Sequence, residues 1–354
     1  MLPSRPVETL GALLTLAACL ASPGQAPAQV AQPAAPAGGE SVQAINDDYD
    51  RRLLQLDRDR LTRLARLAAS QKPAEAAATY EQLFRLGIAA NLFRDVEAPA
   101  DAVVKGGSPS PTTLTLAHLC RIVARADRGA FDESLEALNQ ALALREAAAG
   151  KPALSASELV GICDTYYQRL IHVGQYEVAA KAFRLASGQV ENPALKEYLS
   201  SRLARLEQVG KPSPALRGTD IDGKPFDLAS LKSKTVLVIF WASWCLPNAA
   251  ELTWLEQVYA DYKAKGFEVV GVDVDALGTR QSLEAILPSV RRFLIDHNVP
   301  WRNLVSGPGE QDYARAFGVT DIPANVLVDR DGKVVQLDVV QKNLEPVLSK
   351  LFAQ

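Results

Sequence analysis

Cys245 is the residue whose type and setting point most directly to chemistry. It lies in Trp241-Ala242-Ser243-Trp244-Cys245-Leu246-Pro247-Asn248, between the apolar run Val236-Leu237-Val238-Ile239-Phe240 and a stretch with helical periodicity. The thiolate is the nucleophilic form of cysteine. A helix N-terminus stabilises it through unpaired N–H groups and aligned peptide dipoles. In such settings a cysteine pKa falls from about 8.5 to roughly 7 or lower. Pro247 suits the first helical turn, where its missing N–H has no bond to lose. Asn248 stands three residues after Cys245, on the same helix face, so its amide is placed to donate to a thiolate. The plain alternative is a buried structural thiol.

Other reactive side chains form weaker patterns. Three further cysteines occur, Cys19, Cys120 and Cys163. Cys120 and Cys163 fall in helices of neighbouring hairpins, either as a disulfide or as two buried thiols. His118 and Cys120 are too close in sequence for a metal pair without further ligands, and no zinc spacing exists among three histidines. No metal and no cofactor is expected. Asp273 and Asp275 end a strand beside Cys245 and are expected to face water.

These side chains need elements to hold them. Val236–Phe240 reads as a strand buried on both faces. A helix follows from Pro247 to about 264, with Leu252, Leu255, Val258, Tyr259 and Tyr262 on one face. Phe267–Val274 is the next buried strand, and helices are expected at about 284–297 and 311–317. Asp222-Gly223 and Asp331-Gly332 mark hairpins. The second joins strands 325–329 and 333–340, and a helix over 344–352 closes the chain. Strand–helix–strand, helix, hairpin, helix describes a mixed sheet covered by helices.

In this part the sequence resembles the TlpA/ResA group of exported thioredoxins. Phe240, Trp241, Ala242, Ser243, Trp244, Cys245, Pro247 and Glu251 match that group's Phe-Trp-Ala-Ser-Trp-Cys-x-Pro-Cys pattern and the acid after it. Lys265-Gly266-Phe267-Glu268-Val269-Val270-Gly271-Val272 matches on the next strand. The likeness covers residues 213–354 and implies a thioredoxin fold with Cys245 as nucleophile, supported by Trp244 and Pro247. It also implies a cis proline facing the thiol. Gly318-Val319-Thr320-Asp321-Ile322-Pro323 has the right shape, making Pro323 that residue and Ile322 the docking position for a substrate peptide. The departure is Asn248, where the group has its second cysteine. A second cysteine resolves the mixed disulfide internally at high effective concentration; here the intermediate waits for an outside thiol. A peroxide-reducing relative is excluded on spacing, because Val238 and Ala242 stand where that pattern needs proline and threonine or serine.

The rest of the chain is different in character. Arg5 and the apolar run Leu10–Ala21, then Ala26-Pro27-Ala28, read as a cleaved export signal over 1–28. Leu16-Ala17-Ala18-Cys19 alternatively fits a lipoprotein signal anchored at Cys19. Both routes lead outside the cytoplasm, to the periplasm or an equivalent space. Residues 29–40 are an Ala/Pro-rich linker. Residues 41–210 are Ala- and Leu-rich and helical, with helices near 111–127, 130–147, 155–172, 175–188 and 193–209 and a loop over 96–110. Gly129-Ala130-Phe131 with Ser134, Leu138 and Ala141 repeats as Gly174-Gln175-Tyr176 with Ala179, Phe183 and Ala186. This partly resembles tetratricopeptide hairpins, although the copies lie 45 residues apart. Such an array offers a surface for a protein partner. Lys211-Pro212-Ser213-Pro214 reads as a short stiff linker.

The fold class expected is multi-domain: an all-α repeat-like domain followed by an α/β thioredoxin fold. The net charge of -3 argues against nucleic acid as a ligand. Two functions fit. One is a monothiol oxidoreductase or isomerase acting on protein thiols and disulfides, with an external reducing thiol. The other is a non-catalytic scaffold that binds proteins.

Overall fold

The structure is a computed structural model that describes residues 41–107, 110–144, 154–245, 247–276, 282–339 and 341–353, without the side chains of 247–251 and 341–342. The signal, Cys19 and the Ala/Pro-rich segment lie outside the described residues. The chain divides after Leu54 into two compact units. In the first, the opening of helix α1 (Val42–Ser70) exposes Val42, Ile45, Tyr49 and Leu53.

The second unit begins with the helical region: α2 (Pro73–Ala89), α3 (Glu97–Gly106), α4 (Pro111–Asp127), α5 (Phe131–Leu142), α6 (Ala156–His172), α7 (Tyr176–Gly188) and α8 (Pro193–Leu206). Their starts are written locally. Proline opens α2, α4 and α8, and Ser110, Ser155 and Asn192 accept hydrogen bonds from first-turn amides. Ser155 and Glu158 cap each other reciprocally. The loop expected over 96–110 is instead largely α3. Pro99 falls in its first turn, where a helix has no amide bond to lose, so this proline does not break it.

The two related segments form α4–α5 and α6–α7. Gly129 and Gly174 both take positive φ at the turns, +78° and +72°, which favours glycine. Ser134, Leu138 and Ala141 are buried, and so are Ala179, Phe183 and Ala186. The small residues let the helices approach, and the large one fills the space a turn later.

A mixed sheet follows. Its strands are β3 (Thr235–Trp241), β4 (Phe267–Asp273), β5 (Arg302–Val305), β6 (Ala324–Val328) and β7 (Val334–Leu337), in the order β5-β4-β3-β6-β7. β4 runs parallel to β3 and β5 parallel to β4, whereas β6 is antiparallel to β3 and β7 to β6. A hairpin, β1 (Arg217–Thr219) with β2 (Pro225–Asp227), precedes it. The helices are α9 (Pro247–Lys263), α10 (Leu283–Asp296), α11 (Tyr313–Ala316) and α12 (Gln341–Phe352). The sequence reading lacked β5. Arg-Asn-Leu-Val is a four-residue edge strand, too short to show a period.

The two faces of β3 have different partners. Leu237 packs with Leu252, Leu255, Val258 and Tyr259 of α9 and Leu344 and Leu348 of α12. Val236, Val238 and Phe240 belong to a cluster that continues into Tyr167, Leu170, Phe183, Leu199 and Leu206 of the helical region. Residues 209–213, which include most of the 211–214 segment expected as a linker, lie along the β7 edge. The Gly210 amide donates to Val334 O at 2.8 Å, Val334 N to Lys211 O at 2.9 Å and Ser213 N to Gly332 O at 2.8 Å.

Candidate functional site

Cys245 sits at the carboxyl end of β3, two residues before α9 begins. Its amide donates to Ala242 O at 3.1 Å, closing a tight turn between strand and helix. The thiol is partly buried against the cluster that holds Phe240 and Ala242, while Trp244 stands out into solvent at 64% exposure. Pro247 and Asn248 open α9; their side chains lie outside the description.

Antiparallel pairing brings the second sequence candidate to the same end of the sheet. Phe240 lies opposite Ala324, so the turn just before β6 is beside the turn that carries Cys245. The Ile322–Pro323 peptide bond in that turn is cis. Ile322 packs against the same cluster as Cys245. Gly318 has φ of +65°, and a Cβ there would meet the Arg205 backbone and Cβ of α8 at 3.0–3.4 Å. Its lack of a side chain therefore lets the turn close onto the helical region.

Asp273 and Asp275 are buried rather than water-facing, which corrects the sequence expectation. Asp275 carries the tether of the site. Its Oδ1 accepts from the Ser243 amide at 2.8 Å and its Oδ2 from Ser243 Oγ at 2.5 Å. Ser243 is two residues before Cys245, so the end of β4 fixes the turn that carries this thiol. Asp275 N donates to Asp273 Oδ1 at 3.2 Å, while Asp273 Oδ2 is buried without a partner. Burial, and then the Asp275 carboxylate, push the Asp273 carboxyl up to about 8. It therefore holds its proton at neutral pH. On the same sheet face as Asp273, the Trp241 indole N–H donates to Asn303 Oδ1 at 3.2 Å, and Gly271 leaves the space Asn303 occupies.

The other candidates lie elsewhere. Cys120 and Cys163 are separate thiols in α4 and α6, each about 2% exposed or less. Burial pushes both well above the ordinary range, Cys163 to about 12. His118 is buried in α4, and burial followed by the nearby Arg121 charge lowers it to about 4. Among the described residues, no group of three His, Cys, Asp or Glu could hold a metal ion.

Sequence reasoning missed two arginines of α8. Arg202 pairs with Asp321 at 3.0 Å, and Arg205 donates to Asn325 O at 3.1 Å and pairs with Asp338. Their i, i+3 spacing reads as a solvent face. Only the sheet packed against α8 makes them interior, and nothing local announces that.

Comparison with known proteins agrees with this geometry. The redoxin family profile matches residues 208–352. Thiol-disulfide oxidoreductase ResA of Bacillus anthracis is 31% identical over 147 residues, which is 41% of this chain and 79% of the relative. ResA of Bacillus subtilis strain 168 is 27% identical over 128 residues, covering 36% of this chain and 65% of the relative. Among solved structures, a thiol:disulfide interchange protein of the thioredoxin family from Chlorobium tepidum is 29% identical. It covers 40% of this chain and 95% of its own, with a TM-score of 0.34. No described helix is long and apolar enough to cross a membrane.

Proposed function

Because the chain belongs, through its sheet region, to the redoxin family of ResA-like thiol-disulfide oxidoreductases, we propose that it exchanges thiols and disulfides on exported proteins through Cys245 alone. The observation that carries this is the placement of Cys245. It is a partly exposed thiol just ahead of a helix and beside the Ile322–Pro323 turn. The Cys245 thiolate attacks a substrate disulfide, forms a new S–S bond to one substrate sulfur, and expels the other as a thiolate that takes up a proton. Asn248 supplies no second sulfur. An outside thiol, or another thiol of the substrate, must then attack the mixed disulfide and return Cys245 to the reduced form. The first outcome is monothiol reduction and the second is isomerisation. The signal over 1–28, or lipid anchoring at Cys19, places this chemistry outside the cytoplasm, and the helical hairpins offer a surface for a protein partner.

Two measurements test it. Iodoacetamide should label Cys245 at pH 7 about tenfold faster than an unstructured cysteine peptide. Non-reducing gels of acid-quenched cells should show adducts that vanish in Cys245→Ser. Labelling no faster than the peptide, with no adducts, would leave the protein-binding scaffold as the function, the reading that the loss of the second cysteine favours. Asn248→Cys should then separate fold from chemistry. It should form a disulfide with Cys245 and gain insulin reduction driven by dithiothreitol.

A further inference from the structure

The helical region reaches the Ile322–Pro323 turn through one helix. Arg202 of α8 is 5% exposed, although its partner Asp321 is largely exposed. Its Nη2 meets Asp321 Oδ2 at 3.0 Å, and its Nε donates to Tyr198 Oη at 3.3 Å. Asp164 of α6 lies 3.7 Å from the same Nη2 and also accepts from the Tyr198 hydroxyl. The guanidinium stacks over Tyr167 at 5.2 Å and Tyr198 at 5.5 Å. Five groups thus fix one side chain, which reaches out to the residue immediately before Ile322. One turn along α8, Arg205 grips the other end of the segment at Asn325 O. Arg202 and Gln168 also line, with Ile322, Pro323 and Trp254, a cavity of about 490 Å³.

Stability alone does not account for this arrangement. An ion pair to an exposed carboxylate stabilises little, whereas burying a guanidinium is costly. What the arrangement does provide is orientation, since a planar guanidinium packed against two rings and bonded at its edge has little freedom. We propose that Arg202 is a positioning residue for thiol exchange, and that α8 is thereby part of the redox site. It sets the Asp321–Ile322–Pro323 turn that an incoming disulfide-bearing peptide lies against. This rests on the thiol-exchange reading above.

The test uses the full chain with a cysteine peptide carrying a mixed disulfide to 5-thio-2-nitrobenzoate. The Cys245 thiolate forms an S–S bond to the peptide sulfur, and 5-thio-2-nitrobenzoate leaves with the electron pair of the broken bond and is read by absorbance. Iodoacetamide, which needs no docking, is the reference. Arg202→Met and the surface variant Asp321→Asn should slow the peptide reaction roughly 10–100-fold and leave alkylation within about twofold. Arg202→Lys should recover part of the loss. Hydrogen exchange of residues 317–326 should speed up in both disabling variants. Unchanged peptide-to-iodoacetamide ratios with unchanged exchange would overturn the proposal, as would equal losses with both reagents. If the unaltered protein itself shows no preference for the peptide, the exchange chemistry falls instead. Hydrogen exchange alone then decides whether Arg202 positions the turn.

Discussion

Three described cysteines occupy two kinds of place, and the contrast separates the two regions of the second unit. Cys120 and Cys163 lie in the interior of long helices, where each amide already serves the helix and neighbouring side chains exclude water. Burial, helped at Cys163 by the neighbouring Asp164 charge, keeps those sulfurs protonated. Cys245 lies where a strand has ended and a helix has not begun, a place where first-turn amides have no intrahelical acceptor, and its thiol is partly exposed. The helical region uses sulfur as a small apolar filler. The sheet region presents it. On the proposed reading, reactivity follows from position along an element rather than from residue type.

The largest expected effect bears directly on that contrast. Cys245→Ser should abolish reaction with the peptide mixed disulfide, and the Cys120→Ala, Cys163→Ala double variant should keep the full rate. Labelling lost in the double variant and kept in Cys245→Ser would reverse the comparison. Next is the question whether the regions are energetically separate. Arg205 is 1% exposed and pairs across them with Asp338. Arg205→Ala leaves that carboxylate without its cation, though Tyr167 Oη and the Asn325 amide still donate to it, and should cost about 3 kcal/mol in urea unfolding, with one transition for helices and sheet alike. Two separated transitions would show that the regions melt independently.

A smaller effect tests the acid behind Ser243. The ordinary aspartate value is 3.8 and the folded value of Asp273 is about 8. Below the lower value the acid is protonated in both states. Between the two, the folded protein keeps a proton that the unfolded chain has released, so stability falls as pH rises through this window and the loss is complete above it. Asp273→Asn should flatten that slope and raise Tm at pH 8 by about 2–4 °C, read by calorimetry from pH 5 to 9. A slope identical to the parent's would show that Asp273 is ionised throughout. The smallest effect is local. Ser155→Ala removes the α6 cap and should cost about 1 kcal/mol without changing the Cys245 labelling rate.

Much of this was legible along the chain because it is written locally. Proline and Ser/Asn caps fixed where α2, α4, α6 and α8 begin, and the unbroken apolar runs gave β3 and β4. The likeness around Trp241–Pro247 pointed to Cys245, and the Gly318–Pro323 pattern fell at the turn beside it. What stayed hidden was set by distant partners. Pro99 could be read as a breaker until its place in the α3 first turn was known. Asp273 and Asp275 have the composition of a wet strand end, and only β5 and the Ser243 turn close over them. Arg202 and Arg205 become interior only through a sheet that begins many residues later.

The segment 209–213 limits how this chain can be divided. β7 is the last strand of its sheet, and a bare terminal strand is a template for association with other chains. Here the Val334 amide and carbonyl at its start, and the Gly332 carbonyl just before it, are already occupied by the backbone that arrives from α8. Cutting the gene between the two regions would free that rim and strip one sheet face of its cover in the same stroke. The released half should self-associate rather than behave as a small soluble enzyme. In this chain the helices and the sheet therefore depend on each other for solubility as well as for packing.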